Sequence, residues 1–350
     1  FFLSPTIRPT LSKSSANSKG HHCSIASVIS LTIILSKYKS SKFVFMFLFR
    51  KALFPLKIAY DSVIRLRQLA YKYSIIKSHR FSFPIIVVGN LSTGGTGKTP
   101  MIDYLLQKFT NKTTLGVLSR GYGRKSSGFF KLSKFSTASD VGDEPLMLLK
   151  KHPNTIITVG ENRFKAIKKI VENYPKVKSI ILDDGMQHLK VIPSFKILLT
   201  TFDKPWFKDE LLPIGNLRAN KSQSKHADVV VVTKCPHNID LKTKIFYKKK
   251  LSINKNQKLF FTTISYNDYV LGKTKINVAE FLKNEFILVT GIANSKNLVN
   301  YLKSKNAKFN HYQFKDHHNY TKNQIDKFVK SNKNILTTEK DYVKLTTFKI

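Results

Sequence analysis

The sequence predicts an α/β fold: a mainly parallel sheet covered by helices, then a β-ribbon linker and a smaller C-terminal α/β domain. Three observations predict it. Near-continuous apolar runs alternate with helical patterns through the middle of the chain, as strands buried on both faces require. After Lys234 the composition shifts to a lysine-rich connector, and a second, shorter α/β set follows.

In order, the candidate core strands are PIIVVG (84–89), TLGVLS (114–119), TIITVG (155–160), SIILD (179–183), FKILLTT (195–201) and DVVVVTK (228–234). Their β-branched composition and turn-rich flanks distinguish them from helix segments. KLFFTTISYNDYVLG then reads as the ribbon, with a soft boundary near residue 257. The second set comprises FILVTG (286–291), a helix near 295–304, FNHYQF, a helix near 321–329 and NILTT.

The chain opens on Phe1, and residues 1–42 are Ser/Lys-rich without helical or strand period. The first methionine is Met46. Residues 1–45 are therefore expected to be a non-native or unstructured extension. The apolar run VISLTIIL (28–35) lacks a small-residue cleavage site and does not read as a targeting peptide. Residues 46–80 mix apolar side chains with Arg50, Lys51, Lys57, Arg65, Arg67 and Lys72. That pattern suits a helix at an anionic membrane surface; no stretch reaches the ~18 apolar residues of a span. The remaining divisions are a P-loop kinase core (81–256), the ribbon linker (257–285) and the C-terminal domain (286–350).

Composition narrows the function less than it first suggests. The net charge of +39 attracts phosphates, but only nine of the 60 basic residues are arginine and the lysines are spread throughout. Lys, Asn, Ile and Phe are abundant together, as an AT-biased genome produces, so no nucleic-acid partner is expected. Two cysteines, Cys23 and Cys235, exclude a disulfide scaffold and a cysteine zinc cluster.

The chemistry begins at Ser92-Thr93-Gly94-Gly95-Thr96-Gly97-Lys98-Thr99, directly after the first core strand. Glycines there free the backbone to cradle phosphates, and the helix that follows supplies unpaired N–H groups. The pattern is a near-match to Walker A, with Ser92 in place of the first glycine. Lys98 reaches β/γ-phosphates and the Thr99 hydroxyl can hold Mg²⁺. SIILDDGMQH ends a strand in Asp183 and Asp184, the form of a Walker B carboxylate that orients Mg²⁺. VGDEP places Asp143 and Glu144 before an apolar helix, where they serve either as an N-terminal cap or as a base for an attacking alcohol. SRGYGR offers Arg120, Tyr122 and Arg124, ELLPIGNLRAN offers Arg218, and KDHHNY groups Asp316, His317 and His318.

The combined order VGNLSTGGTGKTP, LSRGYGR, VGDEP, GENR, LDDGMQH, LLPIGNLR, VVVTK, FKDHHNY and TTEKD resembles the tetraacyldisaccharide 4′-kinases, the lipid A 4′-kinases of Gram-negative bacteria. The resemblance runs from about Met46 to the end. It implies transfer of the γ-phosphoryl of ATP, with Mg²⁺, to the 4′-hydroxyl of a tetraacyldisaccharide 1-phosphate at the cytoplasmic face of the inner membrane. Through it Asp143 matches a proposed catalytic base, and His317 with Asp316 an assisting histidine. Glu144, Asp183 and Asp184 match acidic residues near Mg²⁺ and ATP. Arg163 and Arg218 match active-site arginines, and Arg120, Tyr122 and His188 join them as candidate substrate residues. Relatives carry a further short stretch after TTEKDYVKL, so the second domain is expected to be incomplete at its end. Oligomeric state is not legible.

Three other readings compete. A membrane-associated or nucleic-acid-binding P-loop ATPase without lipid kinase activity fits the Walker motifs and the charge. A GTPase would need an aspartate where Pro236 stands, three residues after Thr233. A DHH-type phosphoesterase leaves the phosphate loop without a role.

Overall fold

The computed structural model describes residues 1–9, 52–272 and 274–348. Within them, β1 (Phe2–Pro9), β2 (Ile85–Asn90), β3 (Leu115–Ser119), β4 (Phe130–Lys131), β5 (Ile156–Val159), β6 (Ser179–Asp183) and β7 (Phe195–Thr201) precede a second group. That group is β8 (Val229–Cys235), β9 (Lys258–Leu271), β10 (Lys275–Asn277), β11 (Phe286–Thr290), β12 (Phe309–Gln313) and β13 (Asn334–Thr338). The strands form one sheet in the order β12-β11-β13-β1-β9-β8-β7-β2-β6-β3-β5-β4, with β10 paired to β9.

From β5 to β9 the pairing is parallel throughout. The apolar runs are unbroken because both faces are covered. Val88, Val117 and Ile181 pack beneath the helices Lys98–Phe109 and Asp143–Lys151. Their neighbours Val87, Leu118, Ile180 and Leu182 face the opposite way, against Ile167 and Ile170 of the helix Arg163–Asn173. The chain leaves β2 for β3 and later returns to lay β6 between them, so β2 sits at the switch point where open α/β sheets bind ligands. The phosphate loop follows β2, and Asp183 ends the neighbouring β6.

The second unit repeats the logic on a smaller scale. Phe286, Leu288 and Leu336 face one layer, Ile287 and Val289 the other. Its helix Glu339–Leu345 sends Val343 into the cluster beneath the phosphate-loop helix. That docking carries the C-terminal loops to the core's carboxyl-end face.

One expectation needs correction. Residues 1–45 are not wholly outside the fold: Phe2–Pro9 is a strand, antiparallel to β9 and parallel to β13. Its buried start explains its place, since Leu3 enters the second unit's core while the Phe1 amino group donates to the Ile335 carbonyl at 2.9 Å. β13 is thereby paired on both sides, with β11 and with β1. Met46 and the run 28–35 lie outside the described residues.

The helix Phe54–Lys72 has no buried residue. It is tethered by Lys57 to Glu210 at 2.7 Å and by Tyr60, whose hydroxyl donates to the Arg218 carbonyl at 3.1 Å. Among the described residues, no helix is long and apolar enough to cross a membrane.

Candidate active site

Gly94 and Gly97 adopt φ of 108° and 92°, the left-handed region closed to most side chains. No side chain caps the helix Lys98–Phe109. Its first amides and the positive end of its dipole therefore point at a cavity of about 740 Å³. Lys98 Nζ is held by Asn90 Oδ1 at 3.4 Å and lies 3.9 Å from Asp184. The Thr99 hydroxyl donates to Glu144 at 2.9 Å.

Asp143 and Glu144 occupy successive positions at the start of the helix Asp143–Lys151, so their side chains diverge by about 100°. Glu144 turns to Thr99. Asp143, 5% exposed, turns to the second unit, where His317 Nδ1 lies 2.9 and 3.0 Å from its two oxygens. Lys344 Nζ donates to the same carboxylate at 3.3 Å. Lys340 Nζ reaches His317 Nε2 at 3.1 Å, Asp316 at 3.0 Å and Glu144 at 3.2 Å. An ammonium facing Nε2 makes that nitrogen the acceptor, which assigns the ring hydrogen to Nδ1. Burial alone would raise the Asp143 pKa, but the His317 hydrogen bond and the Lys340 and Lys344 charges hold it below the usual range. The carboxylate is thus ionised and ready to accept a proton.

Asp184 is engaged differently: Arg218 donates to both of its oxygens, at 2.9 and 2.7 Å, and to Asn90 Oδ1 at 2.6 Å. Burial opposes ionisation of Asp184, and the Arg218 hydrogen bonds and the Lys98 charge outweigh it. Asp183 has no such partner. Ser119 donates to Oδ2 at 2.8 Å, while Oδ1 is buried without a hydrogen bond. Burial, then repulsion from Glu144, pushes its pKa up to about 6.

An orphaned buried carboxylate oxygen near a hydroxyl and a second carboxylate suits a hard divalent cation, which takes oxygen ligands. Among the described residues no three His, Cys, Asp or Glu side chains form a ready-made metal cage. That too suits Mg²⁺, which relies on few carboxylates plus substrate phosphates and water.

Asp183 also makes a signed prediction. A carboxylate raised on folding stabilises the fold below its unfolded pKa, and that contribution is lost as pH rises through about 6. Asp183→Asn cannot ionise. In thermal melts without nucleotide, its stability advantage over the unsubstituted chain should widen between about pH 4 and 6 and level off above that. A constant difference would mean that Asp183 is not held under this strain.

Arg120 and Tyr122 line the same cavity, the Tyr122 ring 5.0 Å from that of His317. Two candidates stand apart from it. Arg163 is 2% exposed and spends its guanidinium on the carbonyls of Gly160 and Asp183, the latter at 3.1 Å. It braces the end of β6 and does not face substrate space. His188 lines a separate cavity beside the helix Phe54–Lys72. Burial and the Arg163 charge lower its pKa to about 4, so it stays neutral near pH 7.

Sequence reasoning missed Asn90, Lys340, Lys344 and Lys234, whose Nζ donates to the Gly95 carbonyl at 2.6 Å. Asn90 had a signal, a buried amide ending an apolar strand. Lys234 and Lys340 had one in the motifs VVVTK and TTEKD, whereas Lys344 had none among so many lysines. His317, Asp184 and Lys234 all take positive φ, near 55°. Strained backbone of this kind gathers at functional sites.

Comparison with known proteins agrees with this geometry. Residues 49–350 match the family model described as tetraacyldisaccharide-1-P 4′-kinase. The tetraacyldisaccharide 4′-kinase of Flavobacterium johnsoniae is 41% identical over 306 residues, 87% of this chain and 89% of that protein. The one from Cytophaga hutchinsonii is 37% identical, covering 84% of each. Among solved structures, "apo"-form LpxK from Aquifex aeolicus in complex with ATP matches with a TM-score of 0.69 and 28% identity, covering 85% of this chain and 90% of that one. The family model covers most of the chain, and the relatives are up to 41% identical over most of their length: the chain belongs to the tetraacyldisaccharide-1-P 4′-kinase family.

Proposed function

We infer that this enzyme phosphorylates the lipid A precursor, a tetraacyldisaccharide 1-phosphate, at its 4′-hydroxyl during lipid A biosynthesis. ATP is the donor, and the reaction takes place at the cytoplasmic face of the inner membrane. One observation carries the chemistry: the Asp143–His317 pair faces the phosphate loop across a single cavity.

The amides of residues 94–99 and Lys98 grip the triphosphate. Thr99, Asp183 and Glu144 would hold Mg²⁺, which neutralises phosphate charge when bound. Asp143 takes the proton of the attacking hydroxyl, while the His317 N–H fixes the carboxylate and steadies the charge change. Arg218 keeps Asp184 ionised and oriented beside Lys98. Arg120 and Tyr122 line the acceptor side. Phosphoryl transfer passes through a loose transition state, so positioning and charge carry most of the rate enhancement.

Purified protein in detergent micelles, given γ-labelled ATP and the acceptor, should deliver label to the lipid. Label recovered only as inorganic phosphate would support an ATPase instead.

Lys340 ties Glu144, Asp316 and His317 together from the docked helix. Lys340→Met should lower kcat by about 30-fold with little change in ATP affinity, and Lys340→Arg should recover part of the loss. Equal effects of Met and Arg on kcat would argue against a positioning charge.

A further inference from the structure

The helix Leu241–Lys250 lies on the core unit, away from the phosphate loop and its cavity, and its only buried residue is Tyr247. The opposite side carries Leu241 and Ile245, exposed to 71% and 58%, and Phe246, 45% exposed, flanks it. Leu241 and Ile245 are one turn apart and share a face. Five lysines, 242, 244, 248, 249 and 250, are interleaved with them, and the helix itself contains no acidic residue. Asp240, just before it, is spent capping its start by accepting from the Thr243 amide, and Asp203 lies on the buried side near Tyr247. A merely solvated helix explains the lysines but leaves three large neighbouring apolar side chains in water.

The position of this helix is informative. Phe246 packs edge-on to Phe207, ring centroids 6.1 Å apart. Three residues further on, Glu210 receives Lys57 from the first turns of the helix Phe54–Lys72. Three residues span at most about 11 Å, so the two helices are neighbours. The start of Phe54–Lys72 also exposes apolar side chains: Phe54, Leu56 and Ile58. Both helices pack, through Tyr60 and Tyr247, on the same apolar cluster.

We propose that the outer face of Leu241–Lys250 is a second membrane-contact surface, which seats Leu241, Ile245 and Phe246 in the headgroup–acyl boundary of an anionic bilayer. Lysines beside shallow apolar side chains extend their ammoniums to anionic headgroups while their stems cover apolar surface. Two adjoining contact surfaces fix the orientation of the core on the bilayer as well as its attachment. This inference rests on the lipid kinase reading for its purpose, but its geometry does not.

The test uses the full chain and vesicles of phosphatidylcholine with and without phosphatidylglycerol. Leu241→Ser/Ile245→Ser should lower partitioning into the anionic vesicles by about tenfold. Salt should weaken binding of the unsubstituted chain. Ile245→Trp should gain emission that brominated lipids quench, above the background of the buried Trp206. Unchanged partitioning of the serine variant, or unquenched emission from vesicle-bound Ile245→Trp, would overturn the proposal. So would a dimer that the serine variant dissolves while its vesicle binding stays intact. Transfer activity in detergent micelles should be unaffected by these substitutions. Absence of transfer by the unsubstituted chain in micelles would defeat the kinase reading alone, because the vesicle measurements are judged separately.

Discussion

Asp143→Asn should lower kcat by about 10³-fold while leaving ATP affinity within about threefold, the pattern of an interaction made only in the transition state. The asparagine keeps the shape of the side chain but cannot accept the hydroxyl proton. It also leaves the Lys344 ammonium, 3.3 Å away, with only the Asp341 carboxylate at 3.6 Å as a partner charge. Some thermal destabilisation should therefore accompany the loss, and a melting curve separates the two effects. A folded Asp143→Asn variant with near-normal turnover would remove this carboxylate from the base role.

Lys98→Ala should be comparably severe, and in a different way. Lys98 is the cation that the phosphate loop directs at the triphosphate, and its stabilisation grows as charge develops on the transferring group. Both ATP affinity and kcat should fall, the product kcat/KM for ATP by about 10³-fold or more. The fold should persist, because Asp184 keeps its two hydrogen bonds from Arg218 when Lys98 is gone. Calorimetric titration with ATP and single-turnover transfer measure the two losses separately. Unimpaired nucleotide binding would place the triphosphate elsewhere.

Much of this was legible in the sequence, for identifiable reasons. Strands buried on both faces write themselves as unbroken apolar runs, so β2, β3, β6, β7, β8, β11 and β13 fall where those runs predict. The phosphate loop was legible because its chemistry demands glycines and a lysine in fixed order. The pairing of Asp143 with His317 was legible only through the family resemblance, since 174 residues separate them and the docking of the second unit joins them. Arg163, which the resemblance groups with active-site arginines, has its guanidinium buried on backbone carbonyls, a placement no local pattern announces. Phe2–Pro9 was missed because a short strand between two others needs no periodic pattern beyond a few inward side chains.

The central claim is that a core carboxylate and a histidine from the second unit act as one base. A double-mutant cycle tests it directly. With Asp143→Asn costing about 10³ and His317→Ala about 10² in kcat, the double variant should be no worse than about 10³. Losses that multiply to about 10⁵ would mean that the two residues work independently, and the account of the site would be wrong.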